Sequence, residues 1–491
     1  MISTEVVHFE PPKEPGGDSM KLRWSVLAIA FVLVVPACSA SSSGNSNNSP
    51  GGLGGGGGTT TTSKSAANCN VSLKSTEIGV TAKTITVTVI ADVNNSIRPG
   101  LFKGSWDGMK AWGDYINSGG GLACRKVVVK QRDSKLSPTD AGNAVAAACN
   151  DSVATVGTTA LFLQDVGVMN SCKDKAGQAI GLPDIAELQT EAAQQCSPVS
   201  FVTLPTGSSC PYNGSGPRTA HVGWTQYDYY LRKFGAHAMH GVFVIPKDLP
   251  STIASVMPII RAENRMGIVS DTEFGQSGIA IQTDYTQVAQ ALKKNNSTYA
   301  RNQSDYKGTV LMAKEAQVQG VNTVKVWDCS LQCYDKRLIS EGGRAVEGQY
   351  VWLNFLPFED KGSNDTLDAF LKYDKNPDAF GAQAFIAGEI FAQAVNDAMK
   401  THDNDPNAIT RPNVLAALRN MHSFDGGGMV PPMDIGRRLG STCLVGMQVN
   451  DGKFARIDPI QPGTFDCDKN AAGVAKPALT LTVDPAKEYH G

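Results

Sequence analysis

The sequence is poor in the features that identify several protein classes. Lys and Arg total 44 against 46 Asp and Glu, a net charge of −2 with no basic stripe, which argues against nucleic-acid binding. There are only seven His and no Cys-x-x-Cys pair, so no metal site is predicted. Neither Gly-x-Ser-x-Gly nor His-Glu-x-x-His occurs. We therefore predict no enzyme activity and no cofactor, and we interpret His237 and His240 as a surface pair at a helix end.

Long hydrophobic runs are also missing. The apolar run is WSVLAIAFVLVVPA at residues 24–37, shorter than the roughly 20 residues that span a bilayer. Lys21 and Arg23 precede it, which is typical of an export signal. A membrane anchor is the alternative. A start at Met20 would give a compact signal, and the residues before it then form a dispensable extension.

The apolar run ends at Val35-Pro36-Ala37-Cys38, which resembles the lipobox of bacterial lipoproteins, although Pro36 departs from the usual residue there. This resemblance implies that Cys38 is acylated and becomes the first residue of the mature chain. An ordinary signal peptide with a coincidental Cys is the alternative. The Gly/Ser/Thr-rich tract that follows, up to residue 68, is predicted to be a flexible linker.

Ten further Cys remain, an even number that fits an oxidising compartment and up to five disulfides. Cys329 and Cys333 could be a local bridge or a free thiol pair, and we favour the bridge. Pairing of neighbours in the sequence is the hypothesis adopted: Cys69–Cys124, Cys149–Cys172, Cys196–Cys210, Cys329–Cys333 and Cys443–Cys467.

Strand-like and helix-like segments alternate along the remaining chain. A β-branched run at residues 83–92 predicts a buried strand, and an amphipathic segment at 102–118 predicts a helix that Gly119–Gly121 end. Further strands are expected at 126–133, 154–159, 241–248, 266–274 and 322–328, and further helices at 137–151, 165–177, 255–264 and 305–320. Residues 349–358 look like a return crossover. The pattern predicts an α/β protein with parallel sheets.

Several stretches resemble type I periplasmic solute-binding proteins of the branched-chain amino acid ABC importer family. They are SWDGMKAWGDYINSGGGLACRKVVVKQRDSKLSPTDAGNAVAAAC, YKGTVLMAKEAQVQGVNTVKVW, AFLKYDKNPDAFGAQAFIAGEIFAQAVNDAM, ALRNMHSFDGG and VGMQVNDGKFARI. Together they cover roughly residues 82–460 in the expected order. The resemblance implies two Rossmann-like lobes with parallel sheets, joined by hinge crossovers, that close over a solute.

The family organisation assigns the chain as follows: 1–37 to an N-terminal extension and lipoprotein signal peptide, 38–68 to the acylated Cys and linker, 69–205 and 358–430 to lobe 1, and 206–357 and 431–480 to lobe 2. Crossovers are expected near 204–216, 351–358 and 426–435. The resemblance further implies a monomeric, lipid-anchored receptor on the extracytoplasmic face of the cell membrane. Its partners would be a small solute and ABC permease subunits.

The solute site is expected beyond the carboxyl ends of the strands. In the amino-acid-binding relatives, hydroxyls of lobe 1 hold the ligand carboxylate and an acid of lobe 2 holds its ammonium. In this chain, Thr158 and Thr159 stand at the positions of those hydroxyls, and Asp328 stands at the position of that acid. Gln164 and Glu187 follow the third and fourth strands, and Glu187 could pair with a cationic ligand group or cap the next helix.

Four more residues complete the predicted site. Asn95 is expected to close its rim. Phe162 and Phe274 lie near predicted strand ends, where aromatic side chains belong more often to the core than to a pocket. Gln383 matches a stretch that lies by the cleft in relatives, and a buried helix-cap amide is its alternative. This mixture implies a solute with one polar, carboxylate-like end and an apolar body.

Two other functions fit the same features. A membrane-tethered sensor or scavenger could share the fold without coupling to transport. An enzyme would need a general base or metal in the cleft, and the sequence offers none convincingly. Import is the function that we favour.

Overall fold

The computed structural model describes residues 67, 69–205, 210, 214–235, 239–248, 250–469, 474 and 476–490. All of them belong to one compact unit, Gly58–Gly491. The predicted signal peptide, Cys38, nearly all of the linker and His237 lie outside the described residues.

The strands, in chain order, are β1 (Thr84–Ala91), β2 (Lys126–Asp133), β3 (Ala154–Thr158), β4 (Asp184–Ala186), β5 (Ser200–Val202), β6 (Arg218–Val222), β7 (His240–Pro246), β8 (Val269–Gln276), β9 (Tyr299–Asn302), β10 (Val326–Cys329), β11 (Gln349–Leu353), β12 (Val445–Asn450), β13 (Lys453–Asp458) and β14 (Leu479–Val483). The helices are α1 (Lys103–Ser118), α2 (Pro138–Asp151), α3 (Gly167–Ser171), α4 (Ala192–Gln195), α5 (Thr225–Phe234), α6 (Pro250–Met266), α7 (Thr286–Lys294), α8 (Tyr306–Val318), α9 (Lys336–Gly342), α10 (Asp365–Tyr373), α11 (Ala379–Lys400), α12 (Arg411–Arg419) and α13 (Pro485–Glu488).

Two main sheets define two lobes. Lobe 1 contains a parallel sheet in the order β2-β1-β3-β4-β5. Lobe 2 contains the order β13-β12-β11-β10-β9-β7-β8, parallel except for β12 and β13. A small antiparallel pair, β14 with β6, packs on α6 beside lobe 2. The predicted α/β class with two parallel-sheet lobes is confirmed.

Local sequence explains several of these elements. Ser137 caps α2 by accepting a hydrogen bond from Asp140 N at 3.2 Å, and Pro138 occupies the first helical position, as predicted. After α1 the chain reverses at Gly121, whose φ is +90°. A Cβ there would lie 2.2 Å from Arg125 O, so only glycine fits.

Helix α11 forms the centre of lobe 1 and packs along α1. Glycines allow this close approach, because a Cβ on Gly108 would lie 2.1 Å from Gly381 O. Further along, Trp112 donates to Glu389 Oε1 at 3.1 Å. The contact fixes the amino end of α11 beside the amino end of α1, at the edge of lobe 1 where the strands end.

Two predicted elements differ from the structure. The helix expected at 165–177 is helical only over α3, because Lys173 and Ala179 pair in a tight turn instead. The crossover expected at 349–358 begins later, since its first five residues form β11, which is buried and paired with β10 and β12.

The ten Cys of the described chain form five disulfides between sequence neighbours, the same pairs that the sequence analysis adopted. Cys149–Cys172 joins the end of α2 to the residue after α3. The buried Arg411 supports this bridge, because its Nη2 donates to Cys149 O at 2.7 Å and thereby ties α12 to it.

Candidate functional site

The two lobes meet at a cleft, defined here by residues 97–101 after β1, residues 305–307 after β9, residues 332–337 after β10, and Phe380 at the start of α11. In each lobe the contributing loops follow the carboxyl ends of parallel strands, where open α/β sheets bind ligands. The space measures about 540 Å³ when the part open to solvent is included. Its enclosed part is about 100 Å³, which is less than the range of about 300–1,000 Å³ for typical small-molecule sites.

Arg98 connects lobe 1 to lobe 2 across this cleft. Its Nη2 donates to Asp305 Oδ1 at 3.1 Å, and its Nε donates to Gly278 O at 2.9 Å. Asn95 holds the loop in place, because its Oδ1 accepts from Arg98 N at 2.6 Å and its Nδ2 donates to Arg98 O at 3.0 Å. Asn95 precedes the cleft residues 97–101 in the same loop, and its side chain orders that loop.

The lobe 2 side of the cleft is polar. Asp305 caps α8 by accepting from Gly308 N at 3.1 Å. Asp335 caps α9, and its carboxylate also pairs with the Arg337 guanidinium at 2.5 Å. That guanidinium lies over the Tyr306 ring, 4.5 Å from its centre. Arg98 and Arg337 were not predicted from the sequence as site residues. Asp305 could have been found, because an Asp directly before a predicted helix is typical of a helix cap.

An apolar cluster lies beside the cleft in lobe 1, and two of its side chains, Leu101 and Phe380, line the cleft. Five half-buried side chains surround the buried Ala91, Val93 and Phe102: Leu101, Trp106, Leu161, Leu188 and Phe380. They come from the ends of β1, β3 and β4 and from the first turns of α1 and α11. Phe162 is half-buried in the same loop as Leu161, and Gln164 is exposed and lies 3.4 Å from Glu191.

The two predicted threonines lie beneath this surface. Thr158 is fully buried and donates to Asp184 Oδ1 at 2.8 Å. Thr159 is also fully buried and donates to Ser105 Oγ at 3.1 Å. Both hydroxyl protons are therefore used within the protein.

Glu187 is the last acceptor in a buried series of hydrogen bonds that runs from Thr159 through Ser105. Its Oε2 accepts from Ser105 Oγ at 2.7 Å, while its buried Oε1 has no partner among the described residues. Burial raises the pKa of Glu187 well above its usual value, and the charge of Asp378 raises it further. Burial likewise raises the pKa of Asp378 to about 7.

The remaining predicted residues are not among those that line the cleft. Asp328 is buried in lobe 2 and accepts from Gln226, Tyr230, Tyr299 and Arg301. Phe274 is half-buried within β8, against the apolar cluster around Val242. Gln383 is buried in α11 and donates to Asn354 Oδ1 at 2.7 Å.

Residues 84–453 match the family model described as periplasmic binding protein, which is more than half of the chain. The chain belongs to this family. Its members are extracytoplasmic and have a solute-binding, non-enzymatic fold. No curated protein matches this binding protein. Within the described residues, no helix is long and apolar enough to cross a membrane, and no cluster of three acidic, His or Cys residues could hold a metal.

Solved structures share its fold. A substrate-binding protein of an ABC transporter from Aeropyrum pernix is 13% identical, with a TM-score of 0.60 and coverage of 78% of this chain and 98% of that one. A leucine-binding protein from Thermotoga maritima is 17% identical, with a TM-score of 0.57 and coverage of 76% and 97%. A fatty acid ABC transporter substrate-binding protein from Thermomonospora curvata is also 17% identical, with a TM-score of 0.57 and coverage of 84% and 95%.

Proposed function

We propose that this protein is the lipid-anchored substrate-binding component of an ABC importer. It captures a small solute, amino acid-like or an apolar carboxylate, by closing two lobes around it, and presents the closed form to permease subunits. Family membership and the neighbours described as a leucine-binding and a fatty acid-binding protein support this proposal. The lipobox-like sequence at Cys38 and the linker to residue 68 supply the anchor.

The observation that carries the proposal is the contact of Arg98 with Asp305 and Gly278. These bonds join loops of different lobes at the cleft, so they form only when the lobes are close together. A hinge motion that closes two lobes in this way is how such proteins enclose ligands. The lobes of the proposal comprise residues 69–205 with 358–430 and residues 206–357 with 431–480.

The proposal is tested by identifying the solute that the purified protein retains. Mass spectrometry of the released small molecules is followed by X-ray scattering of the protein with and without that solute. We expect a smaller radius of gyration with solute, and loss of cellular uptake of the same solute when the protein is deleted. An unchanged radius or unchanged uptake would contradict the proposal.

A further inference from the structure

The strongest inference concerns Tyr334 and the connection between the cleft and the chain segment that joins the lobes, and it rests on the proposed function. Tyr334 belongs to the cleft loop of lobe 2, which comprises residues 332–337. Gln332, Asp335 and Arg337 of this loop line the cleft. Tyr334, by contrast, is only 2% exposed. The loop therefore presents three side chains to the cleft and buries a fourth in the protein.

The hydroxyl of Tyr334 bonds to the segment that joins the lobes. This segment, residues 354–364, runs from β11 of lobe 2 to α10, which packs on α1 of lobe 1. The Tyr334 hydroxyl accepts from Phe358 N at 2.7 Å and donates to the Glu359 carboxylate. Both bonds fix the cleft loop to one point of the joining segment.

Packed aromatic rings continue this connection into lobe 1. The centre of the Tyr334 ring lies 4.7 Å from that of Phe358, which lies 5.6 Å from that of Phe370 in α10. The Phe370 ring lies 5.5 Å from that of Phe385 in α11, the helix whose Phe380 lines the cleft. Interacting aromatic pairs have centre-to-centre distances of about 4.5–7 Å. A continuous series of rings therefore joins the cleft loop to a helix of lobe 1 that also reaches the cleft.

The turn that precedes Tyr334 is fixed to α8. Cys333 forms a disulfide with Cys329, the last residue of β10. The Thr309 hydroxyl of α8 lies 3.3 Å from Cys333 Sγ and 3.6 Å from Cys329 Sγ. Helix α8 begins directly after Asp305, the lobe 2 member of the ion pair across the cleft. The cleft loop is thus held between α8 on one side and the joining segment on the other.

We propose that Tyr334 is a positioning residue that couples the cleft to the hinge between the lobes. Lobe closure requires a few residues of the joining segments to change their φ and ψ angles, and the bonds of Tyr334 hold one such segment. A solute that contacts Gln332 or Arg337 orders the cleft loop. Tyr334 transmits this ordering to Phe358 and to lobe 1, so an occupied cleft favours the closed arrangement.

The test measures lobe closure by pulsed electron paramagnetic resonance. Spin labels are attached to Thr139→Cys at the start of α2 and Val318→Cys at the end of α8, both exposed, in the full chain carrying Cys38→Ser. Each protein is measured as purified, with the molecule that it retains. It is measured again after unfolding in urea, dialysis and refolding, which remove that molecule. We expect a shorter distance between the labels in the first preparation of the native protein.

Tyr334→Phe removes the hydroxyl and keeps the ring. We expect it to lower the ratio of closed to open protein in the first preparation about fivefold, the scale of one lost hydrogen bond. Tyr227→Phe is the matched control, because it removes another buried hydroxyl of lobe 2, which donates to Glu263 Oε1 at 2.9 Å. This control should leave the ratio unchanged. Thr309→Val should act in the same direction as Tyr334→Phe, and Thr309→Ser should restore the native ratio.

Separate outcomes distinguish this inference from the proposed function. If the native protein closes and Tyr334→Phe closes to the same extent, the coupling is wrong and the proposed function stands. An equal effect of Tyr334→Phe and Tyr227→Phe would also overturn the inference, because it would show a general loss of stability. If Tyr334→Phe does not fold, Thr309→Val and Thr309→Ser decide. If the native protein gives the same distance in both preparations, the proposed function fails together with the inference.

Discussion

Arg98 and Asp305 form an ion pair, 3.1 Å from Nη2 to Oδ1, between the loop after β1 in lobe 1 and the amino end of α8 in lobe 2. Each side chain is 17% exposed, so water screens the pair less than at an open surface. Asn95 fixes the backbone of Arg98 on one side, and Asp305 is fixed as a helix cap on the other. The pair is therefore placed to stabilise the closed form of the cleft.

Breaking this pair should weaken solute binding without unfolding the protein. We expect Arg98→Ala and Asp305→Asn each to lower solute affinity several-fold. Loss of the ion pair destabilises the closed form and leaves the open form unchanged. Asn at 305 can still cap α8, which isolates the effect of the charge. In a double-mutant cycle read by calorimetry, the coupling energy should be about 1 kcal/mol and fall with added salt.

A matched control uses the exposed pair of Lys110 and Asp114 on α1, 2.6 Å apart. The same substitutions there should leave solute affinity unchanged. Additive effects of Arg98→Ala and Asp305→Asn would show that the pair does not help to close the cleft.

We expect Asp328 to stabilise the fold and not to bind the solute. Its carboxylate accepts from Gln226 Nε2 at 2.6 Å, Tyr230 OH at 2.8 Å and Tyr299 OH at 2.5 Å, and it pairs with Arg301 at 3.1 Å. Removing one member of a buried charge network typically costs about 3–5 kcal/mol, because the partners stay buried. We expect Asp328→Asn to lower the free energy of unfolding by about 3 kcal/mol in urea titrations.

Solute affinity in the same variant should change less than twofold, since protein donors already occupy the carboxylate. Asp451→Asn, in the exposed turn between β12 and β13, is the control for loss of one carboxylate. A large loss of affinity with normal stability would instead place Asp328 in the solute site.

The fold was predictable where the residues of one short segment are enough to specify its secondary structure. The β-branched run of β1 and the Ser137-Pro138 start of α2 both act within a few residues, so composition and spacing were enough. The pairing of β6 with β14 joins segments at distant points of the chain, and each strand has only five residues. No local pattern specifies such a partner, so this sheet could not be predicted from the sequence.

The site was predictable only to the level of loops. The loop after β1 lines the cleft, and Leu161 and Leu188, which follow β3 and β4, pack on the same apolar cluster as Leu101. Which side chains face the cleft depends on partners elsewhere in the sequence: Thr158 turns inward because Asp184 of the adjacent strand accepts its proton. Arg98 turns outward because Asn95 shapes its turn and Asp305 lies opposite.

Replacement of Cys38 should release the protein from membranes. A lipid anchor of more than one acyl chain holds a protein stably, and Cys38→Ser removes the attachment atom. We expect the variant in the soluble fraction and the native protein in the membrane fraction, with Cys38 as the first residue of the native mature chain by mass spectrometry. Ser39→Ala, one residue on, is the control. A Cys38→Ser protein that stays in the membrane fraction would favour a membrane-spanning anchor.

Asp378 should make stability fall as pH rises from about 4 to 7. Burial is the main cause of its raised pKa of about 7, and the neighbouring charges of Asp335 and Asp374 add to it, while Arg337 opposes them. Between the ordinary Asp pKa of 3.8 and about 7, the unfolded chain has released this proton and the folded chain still holds it. The folded state then binds more protons, so the free energy of unfolding decreases with increasing pH across that window.

Asp378→Asn tests this dependence and keeps the helix cap, because the Asn oxygen can accept from Gly381 N as Asp378 Oδ1 does at 2.7 Å. Urea titrations at pH 5, 6, 7 and 8 should give a smaller decrease of the free energy of unfolding for the variant than for the native protein. Some decrease should remain, since burial also raises the pKa of Glu187, and that of Glu263 to about 7. Asp165→Asn, an exposed carboxylate that accepts from Gly167 N at 2.7 Å, is the matched control. Parallel pH profiles for Asp378→Asn and the native protein would mean that Asp378 is ionised throughout this range.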